Sequence, residues 1–222
     1  MKLSSERLDL INKATARLRK KYDLLGPVYD IIEWPTEKLV LARGRARMFD
    51  KVKAGQLLEL GVGTGKNFRY YPPFVQATAV DISQGMINQA SKRARRLETP
   101  VRLELSDAQD LPFPDRSFDT VVGTLVFCTV PDPLLALKES KRVLKPGGRL
   151  ILLEHGRPKG DKLSRLFHFL SHFTVTFWGD HLNRDMVKMV KEAGFVVEEV
   201  EEFRDFWKLI VAGRDNHNPS RE

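Results

Sequence analysis

The sequence has 222 residues, of which 42% are hydrophobic, and this length can bury one sizeable core rather than two. The 37 Lys and Arg exceed the 29 Asp and Glu by a formal charge of +8, which favours anionic partners without choosing among nucleic acid, acidic lipid and acidic substrates. The single cysteine, Cys128, excludes an internal disulfide, and no apolar run approaches the roughly 20 residues of a membrane span. The first nine residues also lack the apolar core of a signal peptide, so we expect one cytoplasmic domain.

An amphipathic helix is predicted over residues 4–21, with Ser4 or Ser5 as its N-cap. Apolar side chains recur there at spacings of three and four, at Leu8, Ile11, Ala14, Leu18 and Tyr22. The opposite face is basic, with Lys13, Arg17, Arg19, Lys20 and Lys21. Such a helix either packs on its own domain or lies on an anionic membrane surface, and both interpretations stay open.

A Gly-Pro break, Gly26-Pro27, follows this helix and lies between two Tyr-Asp pairs that begin at Tyr22 and Tyr29. A second helix is predicted over residues 36–52, and no strand is predicted before residue 55. Residues 1–54 therefore form a helical N-terminal segment, which we call the preface. Its two tyrosines are candidates to close over a ligand.

Strands alternate with helices after the preface. We predict strands at 57–60, 76–81, 101–105, 118–126 and 149–153, and helices at 83–98, 131–144 and 183–193. A final strand pair, 195–203 and 206–212, is predicted to form an antiparallel hairpin. The pattern predicts an α/β fold with a mostly parallel, doubly wound sheet over residues 55–213, followed by a flexible tail from 214 to 222.

Residues 156–182 interrupt this alternation with a dense aromatic and aliphatic set between 163 and 178. Such a segment either belongs to the core or covers the substrate, and we favour a hydrophobic cover because it follows the fifth strand at the ligand end of the sheet. The Asp180-His181 pair in this segment is a weaker functional candidate.

Three alternate glycines, Gly61, Gly63 and Gly65, directly follow the first predicted strand. Glycines at these positions let a ligand approach the backbone closely. Asp81 ends the second strand, 22 residues after Glu59, where a carboxylate can hold a ribose diol. Lys66 replaces the small residue that a dinucleotide loop prefers, and Asn67 replaces the hydroxyl of a P-loop, so both phosphate-binding interpretations weaken.

At this point the motifs resemble those of class I S-adenosylmethionine-dependent methyltransferases, over roughly residues 55–155. The matching motifs are Glu59-Leu60-Gly61-Val62-Gly63-Thr64-Gly65, Asp81, Ser106-Asp107-Ala108 with Leu111-Pro112-Phe113, and Arg142-Val143-Leu144-Lys145-Pro146-Gly147-Gly148. The resemblance implies a seven-stranded Rossmann-like fold with a reversed last hairpin, and S-adenosylmethionine as cofactor. It implies cofactor binding by Tyr29, Glu59, Gly61, Gly63, Gly65, Asn67, Asp81, Ile82, Met86, Asp107, Ala108 and Thr124.

Within this class the preface resembles the N-terminal segment of bacterial phosphatidylethanolamine N-methyltransferases and of quinone-ring methyltransferases, in which it closes over the cofactor. The stretches Thr124-Leu125-Val126-Phe127-Cys128-Thr129-Val130, Glu154-His155-Gly156 and Asn183-Arg184 are also similar to animal thiol methyltransferases. This chain lacks the hydrophobic N-terminal anchor of those proteins, so their membrane residence and substrate do not carry over directly.

Methyl transfer relies mainly on positioning and exclusion of water, which can contribute roughly 7–11 kcal/mol. A carbon or phenol nucleophile also needs a proton acceptor, and His155, just after the fifth strand, is the candidate. The alternative interpretation is that the His155 side chain is held by a backbone carbonyl at the strand end, and both interpretations stay open. Tyr22 and Tyr29 complete the predicted catalytic set. Cys128 is more typical of a small buried residue than of a nucleophile, and no His or Cys pair has metal-ligand spacing, so we predict no metal.

The sequence therefore predicts a methyltransferase for a hydrophobic or amphipathic acceptor, with the amine of a phosphatidylethanolamine-type lipid as the leading acceptor at the inner membrane face. S-methylation of small thiols and C-methylation of a quinone precursor remain alternatives. An RNA methyltransferase and a non-catalytic cofactor-binding module are alternatives of another kind. RNA is disfavoured because no Asn-Pro-Pro-Tyr-like tetrapeptide, which could hold a flipped base, follows the fourth strand.

Overall fold

The computed structural model describes residues 4–155, 184–203 and 207–214, and all structural statements below concern these residues. The expected hydrophobic cover between 156 and 182, with Asp180 and His181, lies outside the described residues. So does the tail after Arg214.

One sheet of seven strands runs through the described part of the chain. The strands are β1 Gly55–Leu60, β2 Val75–Asp81, β3 Val101–Leu105, β4 Phe118–Thr124, β5 Leu144–His155, β6 Phe195–Phe203 and β7 Trp207–Arg214. Their order is β3-β2-β1-β4-β5-β7-β6; the pairs among β1 to β5 are parallel, and β7 runs antiparallel to β5 and β6. The predicted mostly parallel sheet with a reversed last hairpin is confirmed.

The helices flank this sheet in the order that the hydrophobic pattern predicts. They are α1 Ser5–Leu25, α2 Tyr29–Thr36, α3 Ala42–Phe49, α4 Gln84–Arg96, α5 Pro133–Val143 and α6 Met186–Glu192. Ser4 caps α1 by accepting a hydrogen bond from the amide of Arg7, and Ser83 caps α4 by accepting one from the amide of Met86. Ser4 is one of the two serines predicted as the cap of α1. No helix in the described ranges is long and apolar enough to cross a membrane.

Two element boundaries differ most from the prediction. Helix α2 already begins at Tyr29, and a π-helical segment, Glu37–Leu41, joins it to α3. Pro35 lacks a backbone N–H, so the α-helical hydrogen-bond pattern cannot continue unchanged through it, and the wider turn follows directly. Strand β5 begins at Leu144 rather than at residue 149, because Leu144 pairs with Phe118 of β4 as soon as α5 ends.

The preface shares a hydrophobic core with the sheet. Leu41, Met48 and Phe49 are buried against Ile151 of β5 and other residues of the same cluster. Helix α1, in contrast, has no buried residue and lies on the surface. The second half of the preface thus packs on the sheet, whereas its first helix, α1, lies on the surface.

The parallel strands bring their carboxyl ends to one edge of the sheet. Leu60 of β1 lies beside Val80 of β2 and Gly123 of β4, and Asp81 lies beside Leu105 of β3. The segments that follow these strands therefore meet at this edge, where ligands bind in open α/β sheets.

Candidate functional site

A cleft opens at this edge of the sheet, where open α/β sheets bind their ligands. The glycine loop after β1, the ends of β2, β3 and β4, and the preface helices α1 and α2 line it. The predicted site residues found in its lining are Tyr22, Tyr29, Gly61, Gly63, Asp81, Ile82, Met86, Asp107, Ala108 and Thr124. Leu18, Ser106 and the segment from Leu125 to Val126 also contribute to the lining.

The glycine loop leaves open space beside its backbone. Gly61 and Gly63 adopt φ values of +61° and +53°, which favour glycine. A Cβ at Gly61 would come within 2.5 Å of Val126, whereas a Cβ at Gly63 would meet no atom within 4 Å. Because Gly63 also lines the cleft, this is a place where a flat ligand can lie against the main chain.

Asp81 joins the loop to the end of β2. One carboxylate oxygen accepts a hydrogen bond from the Gly63 amide at 2.8 Å, and the other accepts one from the Ser83 amide at 2.9 Å. Burial raises the pKa of Asp81 to about 6. A carboxylate offers about four acceptor positions, so two remain for the hydroxyls of a ribose. The donors and acceptors of this corner thus fit an adenosine group.

Asp107 is held in place by Gln109, a residue that the sequence did not single out. Its Oδ1 accepts a hydrogen bond from the Gln109 amide at 2.8 Å, and the Gln109 side chain donates to both carboxylate oxygens at 3.1 and 3.0 Å. Gln109 in turn accepts a hydrogen bond from the Asp132 amide at 2.8 Å. Asp107 therefore lines the cleft with its orientation fixed by the loop before α5.

Glu59 and Asn67, predicted to bind the cofactor, are buried and do not belong to the lining of the cleft. Asn67 donates to Glu59 at 2.8 Å and to Thr124 at 3.2 Å, and it accepts from Arg45 at 2.7 Å. The Tyr71 hydroxyl donates to the second oxygen of Glu59, whose pKa burial raises to about 7. Glu59 and Asn67 thus support the glycine loop and Thr124 from the buried side, and this role does not require either residue to contact the cofactor.

Gly65 and His155 also lie outside the lining of the cleft. A Cβ on Gly65 would overlap the ring of Phe68, so this glycine allows the loop to pack on the following turn. His155 is 5% exposed, ends β5, and packs edge-on against Trp207 with ring centroids 6.3 Å apart. The position of His155 therefore gives no direct support to its predicted role as proton acceptor.

The preface covers the cleft through the end of α1. Asp23 accepts hydrogen bonds from the Ser83 hydroxyl at 2.7 Å and from the Gly85 amide at 2.9 Å. These two contacts, Gly85 first, lower the pKa of Asp23 and keep it ionised. Farther along α1, Thr15 accepts a hydrogen bond from Gln109 at 3.1 Å, and Arg7 pairs with Asp132 at 2.8 Å.

The two tyrosines of the preface meet at the cleft. Their rings form an edge-to-face pair with centroids 6.1 Å apart. The Tyr29 hydroxyl donates to Glu33 at 3.3 Å, and burial, followed by the Glu33 carboxylate, raises the pKa of Tyr29 well above its usual value. Tyr29 thus presents a neutral phenol rather than a base.

Glu154 is a second residue that the sequence reasoning did not assign to the site. Its side chain is fully buried, and one oxygen accepts hydrogen bonds from the amides of Val126 and Phe127 at 2.8 and 2.9 Å. These contacts hold the turn after β4, where Leu125 adopts a φ of +55° and lines the cleft. The available signal was an acidic residue at the end of the otherwise apolar run Leu150-Ile151-Leu152-Leu153.

We expect Glu154→Leu to lower the free energy of unfolding by about 2–6 kcal/mol, because two buried amides would each lose an acceptor at about 1–3 kcal/mol. Urea denaturation followed by circular dichroism measures this loss. Glu154→Gln is the control, since its carbonyl oxygen can still accept both hydrogen bonds, and it should lose less than half as much. Equal losses in the two variants would show that the charge, not the acceptor, matters.

Metal ligation finds no support in the described ranges, where no group of three His, Cys, Asp or Glu side chains is arranged to hold an ion. Cys128 is buried and is not bonded to another cysteine.

A family model described as a methyltransferase domain matches residues 58–152. The phosphatidylethanolamine N-methyltransferase of Cereibacter sphaeroides is 36% identical over 121 residues, which are 53% of this chain and 60% of that protein. A thiol S-methyltransferase of Rattus norvegicus is 36% identical over 151 residues, or 65% and 62% of the two chains. A demethylmenaquinone methyltransferase of Staphylococcus aureus is 28% identical over 216 residues, or 87% and 88%. The chain thus spans about 60% of the length of the first two relatives.

Solved structures share the fold at low sequence identity. A methyltransferase from Methanosarcina mazei, described as S-adenosylmethionine-dependent, has a TM-score of 0.63 and 24% identity, covering 76% of this chain and 96% of that one. The [4+2]-cyclase SpnF has a TM-score of 0.70 and 19% identity, covering 88% and 94%. Because the second of these is named for a cyclisation, the fold by itself does not specify the reaction.

Proposed function

We propose that this chain, whose residues 58–152 match a family model described as a methyltransferase domain, is a class I S-adenosylmethionine-dependent methyltransferase that transfers a methyl group to a hydrophobic or amphipathic acceptor. The seven-stranded sheet confirms the predicted fold, and the matches support methyl transfer with S-adenosylmethionine as cofactor. The acceptor is the proposal, and its leading form is the amine of a phosphatidylethanolamine-type lipid at a membrane surface. One relative carries that activity in its name, and two others are named for a thiol and a quinone acceptor.

The observation that carries this proposal is a group of exposed apolar side chains on the preface, which we call the apolar patch. Leu24 and Ile31 are 81% and 76% exposed, Trp34 is 60% exposed, and Val28 is 45% exposed. They lie on the same short stretch of chain as Tyr22 and Tyr29, which line the cleft. Exposed apolar patches of this kind mark interaction surfaces, and a tryptophan suits the boundary between lipid and water. The patch supports an acceptor that reaches the cleft from an apolar phase.

The side chains of the cleft suit a reaction that depends on positioning. When bound, S-adenosylmethionine supplies an electrophilic methyl group on a sulfonium. We propose that the Gly63 backbone and Asp81 hold the adenosine part, while Asp107 offers an acceptor to the adenine amine. Tyr22 and Tyr29 would shield the reacting end from water, which strengthens the electrostatic interactions there.

The position of His155 bears on the choice of acceptor. A carbon nucleophile needs a base to take its proton, whereas a neutral amine or a thiolate attacks with its own lone pair. Since His155 does not line the cleft and Tyr29 is a neutral phenol, the described residues favour an amine or a thiolate over a quinone carbon. S-methylation of a small thiol is accordingly the second candidate.

The acceptor is tested by incubation with labelled methyl donor and separate samples of phosphatidylethanolamine vesicles, a small thiol, a demethylated quinol and RNA, followed by mass spectrometry. We expect label on the lipid amine. Label only on the thiol, quinol or RNA would replace the lipid proposal. With a thiol acceptor, the rate of methylation would also increase with pH as the thiol ionises, around its pKa of about 8.5. Binding of S-adenosylhomocysteine with no label on any acceptor would indicate a non-catalytic module.

The apolar patch makes a separate prediction. We expect the double variant Ile31→Ser/Trp34→Ser to sediment at least tenfold more weakly with phosphatidylglycerol vesicles, because each lost side chain removes about 1.5–3 kcal/mol of apolar burial. Phe74→Ser is the control, since Phe74 is 56% exposed but lies before β2, at the opposite end of the sheet. Unchanged vesicle binding of the double variant, or displacement of the vesicles by RNA, would contradict a lipid surface.

A further inference from the structure

A second cavity, open to solvent, lies beside the glycine loop. It is lined by Asp30 of α2, Thr64 of the glycine loop, and Gln89, Lys92, Arg93 and Arg96 of α4. None of these residues lines the cofactor cleft. We call this cavity the basic pocket, because three cationic side chains face one carboxylate in its lining.

Arg93 forms the inner wall of the basic pocket. Its guanidinium donates to the Thr64 hydroxyl at 3.1 Å and to the Asp30 carboxylate, which also accepts from Thr64 at 2.6 Å. The guanidinium of Arg93 is thus paired with Asp30 and Thr64, and its Nε is buried without an acceptor among the described residues. Arg93 therefore contributes positive charge behind the cavity, next to the carboxylate with which it pairs.

Lys92 and Arg96 form the outer rim. Both are exposed, and within the described ranges neither forms an ion pair. They are four residues apart on α4, so they lie on the same face of the helix, and Gln89 on the adjoining turn adds an amide donor. The carboxylate of the lining, Asp30, is paired with Arg93, so an anion between Lys92 and Arg96 would relieve the repulsion of these two neighbouring cations.

We propose that the basic pocket binds a phosphate group, held by Lys92 and Arg96 at the rim, in front of the Arg93–Asp30 pair. Phosphate oxygens accept several charge-assisted hydrogen bonds at once, and a guanidinium fork matches their geometry. The same chemistry is offered by an anionic lipid headgroup and by free phosphate. Because the pocket is separate from the cofactor cleft, this site goes beyond the proposed methyl transfer and does not rest on it.

The test uses the full chain at constant ionic strength, with inorganic phosphate measured by calorimetry and with phosphatidylglycerol or phosphatidylcholine vesicles measured by sedimentation. The pocket variant is Lys92→Gln/Arg96→Gln. Its matched control is Lys53→Gln/Arg95→Gln, which removes one lysine and one arginine at exposed positions outside the basic pocket.

We expect the pocket variant to lose at least tenfold in affinity for phosphate, or for phosphatidylglycerol vesicles, while the control keeps the affinity of the native chain. Saturable binding of phosphate alone identifies a soluble phosphate ligand, and binding of phosphatidylglycerol vesicles alone identifies a lipid headgroup. Equal losses in the two variants would overturn the proposal in favour of diffuse surface charge. So would the absence of saturable binding to either probe.

A parallel titration with S-adenosylhomocysteine separates this proposal from the methyltransferase function. Both double variants should bind the cofactor product as the native chain does, because none of the replaced residues lines the cleft. A pocket variant that lost phosphate and cofactor binding together would have a disrupted loop and would overturn the separate site.

Discussion

Asp81→Ala is expected to weaken the binding of S-adenosylhomocysteine by roughly 10²- to 10⁴-fold in calorimetry. The proposed contacts of the Asp81 carboxylate with the two ribose hydroxyls are charge-assisted hydrogen bonds of about 1.5–3 kcal/mol each. The substitution also removes the acceptor of the Gly63 amide at 2.8 Å, which fixes the glycine loop to β2. Loss of the loop's support and loss of the ribose contacts therefore act in the same direction.

Asp81→Asn is the matched control, because it keeps the size of the side chain and one acceptor oxygen. We expect it to weaken binding by an intermediate amount. If Asp81→Ala bound S-adenosylhomocysteine within threefold of the native affinity, Asp81 would not belong to the cofactor site. If the native chain bound NAD in preference to S-adenosylhomocysteine, the identification of the cofactor would be wrong.

The same carboxylate gives a pH dependence of known sign. Burial raises the pKa of Asp81 to about 6 without cofactor, and hydroxyl donors bind the ionised form. Protons therefore compete with the cofactor as the pH falls through 6, so the apparent Kd should rise below pH 6 and be constant above about pH 7. In Asp81→Asn this pH dependence should disappear.

Gly85→Ala is expected to weaken S-adenosylhomocysteine binding by at least tenfold, although it changes no residue that lines the cleft. A Cβ on Gly85 would come within 2.7 Å of the backbone oxygen of Asp23, so the end of α1 must move away from α4. The two hydrogen bonds accepted by Asp23 would then be lost or lengthened, and Tyr22 beside it would withdraw from the cleft. Limited proteolysis should show faster cleavage in the preface.

The helix itself does not account for such a loss, because alanine is favoured over glycine within a helix by about 1 kcal/mol. Gln84→Ala is the matched control: Gln84 is exposed on the same turn of α4, and its side chain donates a hydrogen bond to Asn88 at 3.0 Å. It should bind the cofactor product normally. If Gly85→Ala bound it within twofold of the native chain, the preface would not be part of the cofactor's cover.

The parts of the site that the sequence predicted are close together in the chain. Gly61, Gly63 and Asp81 belong to β2 and to the loop that follows β1, and the hydrophobic pattern fixes where each of these strands ends. Their arrival at one edge of the sheet follows from parallel pairing alone. The resemblance predicted Asp107 as a cofactor residue, although its fixed orientation depends on Gln109, which belongs to no motif.

The parts that the sequence missed are joined over long separations. Glu154 supports a turn 28 residues earlier, and Asp23 bonds to Ser83 across 60 residues. A buried acceptor can serve any backbone amide that the fold brings near it, so the residue type does not reveal the partner. Glu59, Asn67 and His155 are the converse case: their residue types suited cofactor or catalysis, but the fold places them behind the loop or against Trp207.

The sequence by itself determined the alternation of strands and helices, the glycine loop and the acidic residue at the end of β2, because hydrophobic period, backbone freedom and chain proximity are local properties. Only the tertiary structure decided which of the polar residues face the cleft, how Asp23 fastens the preface over it, and where the basic pocket lies beside it. Those outcomes depend on burial and on contacts between distant segments, which come into existence when the helices pack on the sheet.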